Sequence, residues 1–131
     1  AAWEPEDPIS FIQALSQELG SVAVLTGPSP LIARPGQGVL IQGRGFIEGL
    51  PCRQEVLMGV IAVLCDLGLS LEDAVQGGVF LHSLAMERLA AAGGEGAAGD
   101  ELIQELSDLL TNVLSDFQGF LGTYREGVEF V

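Results

Sequence analysis

Ser21-Val22-Ala23-Val24-Leu25-Thr26, followed by Leu31-Ile32-Ala33-Arg34 and Val39-Leu40-Ile41-Gln42, is the stretch that decides the fold. The first run is short and continuously apolar, as a buried strand requires. The second and third flank Pro35-Gly36-Gln37-Gly38, and an apolar run on each side of such a turn sequence predicts a β-hairpin. Gly27-Pro28-Ser29-Pro30 separates the first strand from that hairpin.

Working outward toward the N-terminus, Asp7-Pro8 reads as a helix start, with Asp as N-cap and Pro at the first helical position. Phe11, Ile12, Leu15 and Leu19 recur at helical spacing, and Gly20 suits the exit. On the other side, Gly43 to Pro51 has no period and is placed as a ligand-facing loop. Glu55 to Leu67 is apolar nearly all round, which predicts a buried helix ended by Gly68. Ser70-Leu71-Glu72-Asp73 resembles a capping box and opens a helix to Ala91. Gly77-Gly78 inside that helix costs about 1 kcal/mol per glycine in propensity, so close packing against a neighbour is expected to compensate. Ala92 to Gly99 reads as a linker and Asp100 as the cap of a last helix. Its stripe of Leu102, Ile103, Leu106, Leu109, Leu110, Val113, Leu114, Phe117, Phe120 and Leu121 suits either core packing or an association surface. Gly122 to Val131 shows no assignable pattern, and the isolated Trp3 is placed as an anchor of the N-terminal arm.

The bulk properties narrow the function classes. The chain has 131 residues, about one domain's worth, and is read as a single domain over 1–131. Eighteen acidic residues face five basic ones, all Arg, for a formal charge of −13. Such a surface repels phosphate backbones and anionic bilayers, so nucleic acid and membrane are excluded as expected partners. Two cysteines, Cys52 and Cys65, and the single His82 make a four-ligand metal site improbable, and no metal is expected. Cys65, in an apolar helix, is expected to pack as a small hydrophobe. The acidic, proline-broken start Ala1-Ala2-Trp3-Glu4-Pro5-Glu6 does not read as a signal peptide. Val56 to Leu64 is too short to span a bilayer, so a soluble, cytoplasmic protein is expected.

No catalytic constellation emerges from the residues alone. A Walker loop and a Gly-x-Ser-x-Gly elbow are both lacking, and one histidine cannot make a pair. Gly36-Gln37-Gly38 and Gly43-Arg44-Gly45 do not open helices as phosphate-binding fingerprints do.

Read in order, the segments resemble a known family. Val22-Ala23-Val24-Leu25-Thr26-Gly27, Leu31-Ile32-Ala33, Gly38-Val39-Leu40-Ile41 and Val56-Leu57-Met58-Gly59-Val60-Ile61-Ala62-Val63-Leu64 are similar to the later part of the carbohydrate kinase-like dehydratases. Gly68-Leu69-Ser70-Leu71-Glu72-Asp73-Ala74 and Val79-Phe80-Leu81-His82-Ser83-Leu84-Ala85 continue the likeness, collinear from Ser21 to Leu110. These are the ribokinase-like enzymes that use ADP or ATP to dehydrate hydrated NADH and NADPH. The resemblance implies an α/β fold: a truncated ribokinase-like domain, with a short sheet of about three strands packed with about four helices. It also implies ADP or ATP with Mg as the cofactor.

The departures from the family pattern are concentrated where its chemistry sits. The family's Gly-Thr-Gly-Asp, just before the Val-Leu-x-Gly helix, is Cys52-Arg53-Gln54-Glu55 here. Those glycines let backbone N–H groups form an anion hole at a helix N-terminus. Their loss leaves Glu55 as the candidate catalytic carboxylate, one methylene longer than Asp, and a shift near 1 Å costs about a hundredfold in rate. The family's Lys before Gly is Thr26. Arg53, Gln54, Gly59 and His82 are the candidate nucleotide-binding residues, with Arg53 as a substitute phosphate ligand and His82 as either an adenine or ribose contact or a core histidine. The family's N-terminal strands have no counterpart before Ala1. A homo-oligomer, or a partner chain supplying the missing half, is therefore expected to cover the open faces. Three functional readings follow: a degenerate dehydratase-like domain kept for binding or assembly, a working hydro-lyase fragment, or a non-enzymatic oligomeric scaffold.

Overall fold

The computed structural model describes residues 7–26, 30–42, 54–92, 99–116, 119 and 128–130. They form α1 (Pro8–Leu19), β1 (Ala23–Leu25), β2 (Leu31–Ala33), β3 (Val39–Gln42), α2 (Gln54–Asp66), α3 (Leu71–Ala91), α4 (Gly99–Ser115) and β4 (Val128–Phe130). Trp3, the loop from Gly43 to Pro51, Cys52, Arg53 and the side chains of Phe117, Phe120 and Leu121 lie outside the described residues.

The sheet is antiparallel throughout, in the order β1-β2-β3-β4. The hairpin stands where its turn sequence puts it, closed by Gln37 N–H donating to the Arg34 carbonyl at 3.1 Å. β4 is an addition, pairing Phe130 with Leu40 and Val128 with Gln42. Strand side chains alternate between faces. Leu31, Ala33 and Val39 meet Ile12 of α1 on one face. Ile32 and Leu40 meet Leu57 of α2 and Val75 and Val79 of α3 on the other. A third cluster binds the helices together, with Leu102, Leu106, Leu109 and Val113 of α4 packed on Phe80, Leu81 and Ala85 of α3. The layers are therefore α1, sheet, α2 with α3, and α4.

Local signals set the helix ends. The Asp7 side chain accepts from Ser10 N–H and Ser10 Oγ, at 3.2 and 2.7 Å. Ser70 Oγ accepts from Asp73 N–H at 3.2 Å. α1 and α2 both end in a Schellman motif. Ser21 N–H reaches the Ser16 carbonyl past Gly20, and Leu69 N–H reaches the Leu64 carbonyl past Gly68. Gly20 and Gly68 have φ of 63° and 101°, a region costly for any residue with a Cβ.

Three expectations are corrected. α2 is not the buried helix: Leu57, Val60 and Leu64 are covered, whereas Met58, Val63 and Leu67 are exposed. Cys65 is exposed as well. The helix enclosed among the others is α3, with eleven buried residues from Ala74 to Met86. Apolarity all round a helix marks surface that is able to be buried, but burial needs a neighbour. The third concerns α4, whose helix begins at Gly99, so Asp100 lies inside it. The stripe of α4 is spent mainly on α3, leaving Ile103 and Leu114 outside. Among the described residues, no helix is long and apolar enough to cross a membrane.

Gly78 explains the paired glycines. A Cβ at Gly78 would stand 2.6 Å from Ile61 Cγ1 and 3.5 Å from the Ile61 backbone, so this glycine is what lets α2 and α3 touch. Gly78→Ala gains about 1 kcal/mol of helix propensity and loses about 1 to 3 kcal/mol to overpacking. Urea denaturation of the variant is expected to show net destabilisation, and Ile61→Ala in the same background should recover part of it. A gain in stability from Gly78→Ala alone would contradict the close contact. A second expectation concerns acid. Hydrogen bonds from the Ser10 hydroxyl and then the Ser10 amide hold the Asp7 carboxyl below its ordinary value of 3.8. A depressed folded pKa stabilises above the unfolded value and loses that contribution as pH falls through the folded one. The start of α1 should thus loosen below about pH 4, read from the Ser10 amide by NMR, and Asp7→Asn should flatten the response while keeping the cap.

Candidate functional site

The N-terminus of α2 lies beside Thr26, the residue after β1. An α-helix leaves its first N–H groups unsatisfied and carries partial positive charge there, so this end is suited to anions. Two side chains meet at the junction: Gln54 Nε2 donates to Thr26 Oγ1 at 3.3 Å. The resemblance sets Thr26 against the family's Lys and Gln54 within its glycine loop, so on that reading a neutral amide and a neutral hydroxyl meet where the family pattern has a cation and backbone donors. Sequence reading missed this pairing, because 28 residues separate the partners and no local period links them.

Glu55 is exposed in the first turn of α2. Leu57, two residues on and so about 200° around the helix, points into the core. Gly59 lies in the second turn on the exposed side, and a Cβ built there would meet nothing within 4 Å. His82 is inside the protein, 4% exposed on α3 beside the equally buried Ser83. It continues the Val75–Val79 stripe at helical spacing, the stripe that packs against Ile32, Leu40 and Leu57. The structure brings Gln54 and Glu55 together at one helix end and places His82 in the core, so Glu55 and His82 do not share a surface. Arg53 lies outside the described residues.

The described cations are engaged elsewhere. Arg34 Nη2 donates to the Gly38 carbonyl at 3.3 Å, and Arg34 lies 4.0 Å from Glu72, tying the hairpin to the start of α3. Arg88 pairs with Glu105 at 3.6 Å, tying α3 to α4. Among the described residues no three His, Cys, Asp or Glu side chains stand close enough to hold a metal ion.

The described residues define a small α/β domain: a short sheet flanked by α1 on one face and helices on the other, with the N-terminus of α2 beside the end of its first strand. No protein-family model matches the chain. Among proteins of known activity, it is 35% identical over 118 residues to the bifunctional NAD(P)H-hydrate repair enzyme Nnr of Thermofilum pendens, covering 84% of this chain and 21% of that protein. To the enzyme of the same name from Coxiella burnetii it is 35% identical over 91 residues, covering 68% and 18%. The Vibrio cholerae counterpart is 32% identical over 108 residues, covering 80% and 22%. At the level of the family, the chain matches the NAD(P)H-hydrate repair enzymes, through their C-terminal dehydratase half. It spans about a fifth of the length of these relatives.

The Gln54–Thr26 contact is expected to be a weak structural tie. Gln54→Ala and Thr26→Val should each cost about 0.5 kcal/mol in urea denaturation, with the double variant losing no more than either single one. Fully additive losses would mean that the two side chains do not act together.

Proposed function

We propose that this chain is a degenerate dehydratase-like domain, kept as a binding or assembly module of a larger NAD(P)H-hydrate repair-type unit. The observation that carries the reading is the Gln54–Thr26 hydrogen bond. An anion site needs donors aimed outward at a ligand, and at this helix end two polar groups are turned on one another. The sequence Cys52-Arg53-Gln54-Glu55 supports the same reading, since without glycines the backbone is less free to form a nest of N–H groups. Nucleotide binding at this end would fall to Arg53 and Gln54 together with the α2 N-terminus, taking ADP or ATP with Mg as the phosphate-bearing ligand.

One observation favours a second reading, a working ADP- or ATP-dependent dehydratase that needs a partner chain or a second copy. Glu55 is exposed in the first turn of α2, where a carboxylate could take a proton from a substrate brought to the helix end. A pure scaffold built on α4 has less support, because the stripe of α4 is already packed against α3.

The decisive experiment is a thermal melt of the purified chain with and without magnesium ADP and magnesium ATP. A ligand at a thousand times its dissociation constant stabilises by about 4.1 kcal/mol, which moves the midpoint of a domain this size by roughly 10 °C or more. The expected result is a shift too small to measure at millimolar nucleotide, and no turnover of hydrated NADH. A large shift together with ATP-dependent turnover that Glu55→Ala abolishes would overturn the degenerate reading in favour of the working enzyme.

A further inference from the structure

We draw no further inference here: the strongest candidate, the groove between α3 and α4 lined by Phe80, Leu84, Arg88, Leu109, Asn112 and Asp116, carries nothing, because its apolar wall belongs to the core already described, its Arg88 is paired with Glu105, and nothing in the structure shows what would fill it.

Discussion

The closeness of α2 and α3 at Ile61 and Gly78 is the constraint on which the helical side of the protein depends. α3 is the element that all others on that side use. Val75 and Val79 face the sheet, while Phe80, Leu81 and Ala85 receive α4. A helix can serve two layers only if its neighbours come near enough to exclude water from both. The hydrogen atom that stands in for a side chain at Gly78 lets α2 approach to that distance. The cost in helix propensity is offset by the burial it permits, since Ile61 packs against both clusters at once.

That arrangement also fixes what the N-terminus of α2 can do. Leu57, Val60 and Leu64 are committed to the core, so the rotation of α2 about its axis is set by packing and not by any ligand. Glu55 and Gly59 consequently face outward, and Gln54 falls within reach of Thr26. The same rotation leaves Met58, Val63 and Leu67 in water, where each costs free energy as exposed apolar area. The chain matches the NAD(P)H-hydrate repair enzymes in sequence, at the level of the family, and the same packing sets two features of α2, its N-terminal end and its apolar outer side. At the first, Gln54 donates to Thr26, and the second is exposed.

Much of the fold was legible because its signals are local. Asp7-Pro8, Gly20, Pro35-Gly36, Gly68 and Ser70 each act within a few residues through capping or turn geometry, and each marks an element end in the structure. β4 was not legible, because Val128–Phe130 is defined by pairing with β3 across most of the chain. Nor was the exposure of Cys65 and of the outer side of α2, since hydrophobicity records what a residue favours and not whether a neighbour is present. In the site, Glu55 and Gln54 were readable from the position of the rewritten loop. The Thr26–Gln54 pairing was not, while His82, read as either a nucleotide contact or a core histidine, stands in the interior.

By itself, then, the sequence determined the α/β class, both ends of α1, the end of α2, the start of α3, the hairpin and the family resemblance, because caps, turns and periodicity are written in neighbouring residues. Which face of each helix is covered, which glycine is a contact and which is an opening, and which polar groups satisfy one another were decided only by tertiary structure. Those outcomes depend on distances between residues far apart in the chain, and packing alone sets such distances.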